Sequence, residues 1–319
     1  MSAPGYNVCL IGLGSIGISF AALHLRYGTG VVTVWDPRPD LKQHIESVLP
    51  GYLGSDPESP SLDRLQAQGR LIICTSLEEA CANADIIQEQ GPEQLAFKRE
   101  TWSAVERIAP KKAHLWTSTS AIAASLQNQS MQDLSRLLVV HPFNPPHLMP
   151  LIEIVPSPQT SPEEVEFARD YFKQLGSGHR PVVIKRELPG FVGNRLAYIL
   201  FREAAYLVKE DVVSVEDIDA IVEASLGPRF AVQGPFQAYN MGGGTAGIRG
   251  FLNNLSTTIQ EVWGSYKDMK LGKRGANGGS NWVEKVIRQT EDAYGMPTSA
   301  KFSSRDERLR QVLEVQRQD

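Results

Sequence analysis

The stretch that most constrains this chain is Val8-Cys9-Leu10-Ile11 running directly into Gly12-Leu13-Gly14-Ser15-Ile16-Gly17. The apolar run reads as a buried strand, and Ile18-Ser19-Phe20-Ala21-Ala22-Leu23-His24-Leu25 continues with helical periodicity. A second strand, Val31-Val32-Thr33-Val34-Trp35, ends at Asp36, nineteen residues past the third glycine. Each glycine has a mechanical task. The first permits a tight turn, the second lets backbone approach a pyrophosphate, and the third lets helix pack on strand. Gly12, Gly14, Ser15, Ile16 and Gly17 thereby form a phosphate cradle at a helix N-terminus, and Asp36 can accept hydrogen bonds from both hydroxyls of an adenosine ribose. An acid at that position repels a 2′-phosphate, which favours NAD over NADP. Arg38, two residues on, leaves dual use open.

Further along, two amphipathic pieces at 40–49 and 61–69 precede a strand at 71–74. A short helix at 77–81 and a strand at 85–89 follow, and Pro92-Glu93 opens another helix with proline and acid in its first turn. Leu115-Trp116-Thr117 is a strand that empties into Ser118-Thr119-Ser120, of which Ser118 and Thr119 read as structural. Strands at 137–140 and 151–155, a helix from 162 to about 175, and a strand at 181–184 complete the alternation. Such alternation predicts an α/β fold with a doubly wound parallel sheet of Rossmann type, whose ligands bind beyond the carboxyl ends of the strands. From Gly190 onward the texture is helical, at 190–209, 215–226, 250–267 and 280–292. Leu188-Pro189-Gly190-Phe191 marks the junction, giving a dinucleotide-binding domain over 1–187 and an all-helical substrate and dimerisation domain over 188–319. Gly227-Pro228-Arg229-Phe230 and Gly234-Pro235-Phe236 read as turns, and 272–279 as a mobile loop.

The second informative stretch is His141-Pro142-Phe143-Asn144-Pro145-Pro146, with Glu153 twelve residues after the histidine. His141 stands at the exit of one strand and Glu153 within the next, which carries it back past the same spot; the prolines hold the loop between them open. A histidine with a carboxylate returning beside it is a general base with its orienting partner, and the alternative is a surface loop with an incidental pair. Metal chemistry is not expected, because His24 and His44 have no second ligand four residues on. His147 and His179 read as ordinary loop histidines.

A net charge of −4 disfavours nucleic acid or an anionic membrane as the main partner. The opening residues lack a basic leader and no apolar run is long enough to span a bilayer, so the expected location is the cytoplasm. Cys9, Cys74 and Cys81 form no CxxC pair and read as buried free thiols.

Gly12-x-Gly14-x-x-Gly17, His141-x-x-Asn144-Pro145…Glu153 and Pro189-Gly190-Phe191-Val192-x-Asn194-Arg195 occur in the order seen in 3-hydroxyacyl-CoA dehydrogenases, and the resemblance covers nearly the whole chain. The form His-Pro-x-Asn-Pro-Pro looks closest to the lambda-crystallin and L-gulonate 3-dehydrogenase branch; L-carnitine dehydrogenase is similar over most of the same segments. The resemblance implies that His141 is the acid/base, Glu153 its carboxylate, Ser120 and Asn194 contacts to the substrate, and Asn144 a residue that fixes the loop. It also implies that Glu93 and Lys98 touch the nicotinamide and ribose sides of NAD. Asn240 departs from the aspartate usual in acyl-CoA members.

Arg229 suits bidentate capture of a substrate carboxylate, with a structural ion pair as the alternative. Residues 41–70 offer only Lys42, Arg64 and Arg70 against Glu46, Asp56, Glu58 and Asp63, a poor match for the phosphates of CoA. The expectation is therefore NAD-dependent oxidation of a small free 3-hydroxy acid such as L-gulonate by a homodimer. Oxidation of a 3-hydroxyacyl-CoA or of L-carnitine, and a non-catalytic crystallin-like role, stand as alternatives.

Overall fold

A computed structural model describes residues 5–54, 59–271 and 281–316, so the glycine-rich stretch 272–279 lies outside the described residues. The chain forms two compact units, Met1–Arg195 and Leu196–Asp319.

The first unit is built on eight strands: β1 (Val8–Ile11), β2 (Val32–Trp35), β3 (Leu71–Ile73), β4 (Ile86–Glu89), β5 (His114–Thr117), β6 (Leu137–Pro142), β7 (Leu151–Pro156) and β8 (Arg180–Val183). They form one sheet in the order β3-β2-β1-β4-β5-β6-β7-β8. Strands β1 to β6 are mutually parallel, as the alternation predicts. β7 and β8 run the other way, parallel to each other. β7 pairs antiparallel with β6, because the segment between Pro142 and Leu151 is too short for the helical crossover that a parallel return needs. The proline-rich loop stays open only between those residues; the register closes through Pro142 opposite Ile152.

Among the described residues seven α-helices flank the sheet: α1 (Ser15–Tyr27), α2 (Leu41–Leu53), α3 (Leu62–Ala67), α4 (Leu77–Cys81), α5 (Leu95–Ile108), α6 (Ala124–Gln127) and α7 (Pro162–Gln174). Strand alternation sorts the core into two layers. Val8 and Leu10 of β1 face α1, α2 and α7, while Cys9 and Ile11 face α4 and α5. α1 is buried continuously from Gly17 to Leu25, so the dinucleotide helix is held by packing rather than by a polar cap. All three cysteines are buried and free. α2 runs past its expected end, through Pro50 to Leu53.

α5 begins later than its sequence suggests. Pro92 and Glu93 lie outside it, and Gln94 is its N-cap residue. The Glu93 carboxylate accepts instead from the Thr119 hydroxyl and from the Ser120 amide. His147 and His179, read as loop histidines, are both buried. His147 shares a hydrogen bond with Ser19 of α1, and His179 bonds Ser177 and the Pro146 carbonyl.

The remaining helices are α8 (Gly193–Lys209), which starts at the end of the first unit, and α9 (Val215–Ala224), α10 (Leu226–Val232), α11 (Pro235–Gly242), α12 (Gly247–Ser265), α13 (Asn281–Tyr294) and α14 (Ser299–Gln316). The second unit is therefore all-helical among the described residues. Two expected turns are helices: Gly227-Pro228-Arg229-Phe230 lies in α10 and Pro235-Phe236 opens α11. Proline in a first turn costs no intrahelical bond, so these sequences allow a helix where they suggest a break. α14 has few apolar residues and no continuous apolar stripe, which hides it from periodicity. Among the described residues no helix is long and apolar enough to cross a membrane.

Candidate active site

Gly12 adopts φ 91°, the left-handed region that favours glycine. A Cβ at Gly17 would stand 2.0 Å from the Gly12 carbonyl oxygen, whereas a Cβ at Gly14 would meet nothing within 4 Å. The turn is thus closed on the protein side and open at Gly14, where backbone N–H groups at the start of α1 can receive a phosphate. Ser15 is exposed and Ile16 half-buried beside it. Asp36 holds this turn from the next strand, accepting from Leu13 N at 2.7 Å and from Arg38 N at 2.9 Å. His44 donates to the Leu13 carbonyl at 2.9 Å, so the second residue of the turn is gripped at both ends. A cleft of about 700 Å³ opens here, lined by Gly12, Gly14, Asp36, Gly91 and Phe97 among others. Arg38 points its guanidinium at Asp40, with contacts of 2.8 and 3.2 Å. The open cradle and the carboxylate at the end of β2 fit an NAD adenosine and pyrophosphate.

Two strands bring His141 and Glu153 face to face, as direct partners in the β6–β7 ladder. His141 Nδ1 lies 2.8 Å from Glu153 Oε2, with the residues 3% and 1% exposed. Glu153 Oε1 accepts from the amides of Val192 and Gly193, each at 2.9 Å. Burial pulls the Glu153 carboxyl upward, but the hydrogen bonds of His141, Gly193 and Val192 outweigh it, and its pKa lies below the usual value. A carboxylate only accepts, so Nδ1 is the nitrogen that carries the proton toward Glu153, and in the neutral imidazole Nε2 keeps its lone pair as the basic atom.

The backbone that delivers those amides was not legible as a site. Gly190 and Phe191 both take positive φ, 73° and 51°. This turn presents two successive N–H groups to one carboxylate oxygen, and the Phe191 side chain is fully buried with its ring centroid 5.3 Å from that of His141. A non-glycine residue in this region costs on the order of 1–3 kcal/mol, which the packing of Phe191 offsets. Phe143 also packs against the imidazole, with ring centroids 5.7 Å apart, and a Cβ on Gly193 would strike its ring at 2.4 Å. The dipeptide Pro189-Gly190 was the available signal.

Around this pair the other expected residues are placed unevenly. The Ser120 amide is held by Glu93, and its carbonyl accepts from Asn194 Nδ2 at 3.3 Å, so Glu93, Ser120 and Asn194 are brought together. Asn144 is exposed, precedes a cis peptide bond to Pro145, and has no side-chain hydrogen bond to the described residues. Lys98 is not brought to the open cleft. It is 1% exposed and donates to both oxygens of the fully buried Glu89, each at 2.9 Å. Glu89 also accepts from Thr117 Oγ1 at 3.0 Å and from Gly91 N at 2.5 Å. A cofactor contact would have to use the one N–H of the ammonium that Glu89 leaves over. Arg229 is exposed on α10 of the second unit. Among the described residues no group of three metal-ligating side chains converges.

Comparison with known proteins fits this geometry. The sequence pattern of the 3-hydroxyacyl-CoA dehydrogenase NAD binding domain matches residues 7–187, and that of the 3-hydroxyacyl-CoA dehydrogenase C-terminal domain matches residues 190–297. The chain belongs to the 3-hydroxyacyl-CoA dehydrogenase family. Among its relatives in that family, L-carnitine dehydrogenase of Mesorhizobium japonicum is 33% identical, over 96% of this chain and 82% of the relative. L-carnitine dehydrogenase of a Pseudomonas species is 33% identical over 96% and 92%. A 3-hydroxyacyl-CoA dehydrogenase of Gibberella moniliformis is 36% identical over 78% and 76%. Among solved structures, an NAD+-dependent 5-formyl-3-hydroxy-2-methylpyridine 4-carboxylic acid 5-dehydrogenase superposes with a TM-score of 0.78 at 25% identity, covering 98% of each chain. The 3-hydroxyacyl-CoA dehydrogenase of Archaeoglobus fulgidus superposes with 0.67 at 25% identity, covering 97% of this chain and 98% of that one. The protein is an NAD-dependent dehydrogenase of this family.

Proposed function

We propose that this enzyme oxidises the 3-hydroxyl of a small free 3-hydroxy acid to the 3-keto acid, with L-carnitine ahead of L-gulonate as substrate. The observation that carries the reaction is the buried His141–Glu153 pair, with its carboxylate fixed by two backbone amides. His141 Nε2 takes the proton of the substrate hydroxyl. Glu153 retains Nδ1–H and stabilises the imidazolium that forms. Ser120 and Asn194 orient the substrate oxygen, and Asn144, exposed in the loop after His141, is a further proposed substrate contact. Bound NAD would supply the hydride acceptor, held by the Gly12–Gly17 turn and Asp36, with Glu93 toward its other half.

The choice of a free acid rests on residues 41–70. Of the three cations there, Arg70 is spent on the carbonyls of Gly28, Gly30 and Leu25, and Lys42 stands 3.8 Å from Glu46. Little positive charge remains for the phosphates of CoA. Arg229 is the proposed carboxylate contact. Carnitine moves ahead of gulonate because relatives named for it align along almost the full chain.

The division of labour follows residues 1–187 for cofactor and acid/base groups and 188–319 for substrate and self-association. A homodimer is proposed because the second unit exposes large apolar side chains such as Phe236 at 82% and Trp263 at 61%. The cytoplasm is the proposed compartment, on the strength of three free buried thiols.

The test is NADH formation with L-carnitine, L-gulonate, 3-hydroxybutyrate and 3-hydroxybutyryl-CoA, each with NAD and with NADP. Preference for a free acid with NAD is the expected result. Preference for the CoA ester overturns the substrate class, and inactivity on every compound despite NAD binding returns the non-catalytic role to the front.

A further inference from the structure

Ser118 is the first residue after β5, and its backbone N–H continues the ladder by donating to the Glu89 carbonyl at 2.8 Å. Its side chain ends a buried hydrogen-bond chain that crosses one face of the sheet. Tyr171 on α7 lies 2.8 Å from His24 Nδ1, His24 Nε2 lies 3.2 Å from Gln88 Oε1, and Gln88 Nε2 donates to Ser118 Oγ at 3.0 Å. His24 and Gln88 are 1% and 0% exposed, and Tyr171 is 4% exposed.

The direction of this chain is fixed by donor and acceptor arithmetic. Burial pushes the His24 imidazole down to about 4, so at neutral pH it carries one proton. Gln88 Oε1 can only accept, so that proton is on Nε2, and Nδ1 accepts from the Tyr171 hydroxyl. The Gln88 amide is thereby held with its NH2 toward Ser118. Ser118 Oγ receives that bond and keeps its own proton, which no described residue accepts. Ser118 is half-buried, at the carboxyl edge of the sheet.

We propose that Ser118 donates its hydroxyl hydrogen to the nicotinamide-ribose half of bound NAD, and that Tyr171, His24 and Gln88 act as positioning residues that set its direction. The location follows from the strand order. Asp36 at the end of β2 and the glycine turn after β1 take the adenosine and pyrophosphate, and a dinucleotide crossing the sheet edge continues over the ends of β4 and β5. The assignment rests on the cofactor site described above and adds to it a residue that looks like a mere strand-end hydroxyl in the sequence.

The test is titration of the whole protein with NADH, followed by fluorescence, and with ADP, followed by calorimetry, since ADP lacks the nicotinamide-ribose half. Ser118→Ala should weaken NADH about tenfold and leave ADP unchanged, and Ser118→Thr should recover most of the loss. His24→Phe should weaken NADH about threefold, and add nothing in the Ser118→Ala background. If His24→Phe does not fold, Gln88→Met interrupts the same chain and carries the same expectation. Equal NADH affinity in wild type and Ser118→Ala, equal loss for both ligands, or additive effects of the two substitutions would overturn the assignment while leaving the cofactor cleft intact. Wild-type protein that binds neither NADH nor ADP would overturn the cleft itself.

Discussion

Two buried carboxylates of the same sheet make an instructive pair. Glu89 and Glu153 are 0% and 1% exposed, and each accepts from backbone amides as well as from one basic side chain. Glu89 faces a lysine, whose ammonium donates to both carboxylate oxygens. Glu153 faces an imidazole, which can stand neutral and become charged without a new partner being found. The first arrangement is a brace and the second is a poised acid/base. Burial and charge alone do not separate them; the partner does, an ammonium spent on both carboxylate oxygens against an imidazole that binds with one nitrogen and keeps the other for chemistry.

Removing each basic partner should break the comparison most clearly. His141→Ala is expected to lower turnover by roughly 10²–10⁴-fold with NADH affinity preserved, because the Val192 and Gly193 amides still satisfy Glu153. Steady-state rates beside a binding titration check this, and joint loss of both would count against the proposed role. Lys98→Met leaves a buried carboxylate with its charge uncompensated and should cost about 3–5 kcal/mol in denaturant unfolding.

A third basic group sharpens the contrast. His24 is buried without a carboxylate, and its pKa falls to about 4 in the folded chain. The unfolded chain takes up that proton first, near pH 6.5. Stability should therefore be complete above about pH 6.5 and decline as the pH falls towards 4, by on the order of 3 kcal/mol. His24→Phe should flatten that limb of a pH series of unfolding curves. Glu153 works in a more acidic window. Its stabilisation is present above the ordinary carboxylate value of about 4.3 and is lost as pH falls through its lower folded value.

Glu153→Gln should keep NADH binding and lower kcat about 10- to 100-fold, the worth of one charged hydrogen bond of about 1.5–3 kcal/mol. The smallest effect is expected at the exposed Arg38–Asp40 pair, where Arg38→Ala should leave the unfolding midpoint unmoved.

Much of this was legible in the sequence, for physical reasons. The glycine turn, Asp36 and the apolar strands are local signals, since turn geometry and strand burial are written in consecutive residues. The meeting of His141 with Glu153 was readable because both sit in neighbouring strands separated by a short proline-rich loop. What stayed hidden depends on contacts distant in sequence. Lys98 gave no hint of ending up against Glu89 rather than open to a ligand. The loop histidines His147 and His179 gave none of their burial against Ser19 and Ser177. The two donors on Glu153 are backbone groups, which carry no residue identity at all. α10, α11 and α14 were missed because glycine and proline in the first two, and a high share of charge in the third, mask their helical periodicity.

The grip on Leu13 has a consequence for anyone wishing to convert the enzyme to the phosphorylated cofactor. The usual exchange at such a position replaces the acid with a small or basic residue. Here Asp36 is also the acceptor for Leu13 N, with His44 holding only the carbonyl side. Conversion by a single substitution should therefore loosen the phosphate turn as it admits the extra phosphate. A redesigned protein would need a second acceptor for that amide before any gain in selectivity could be expressed as affinity.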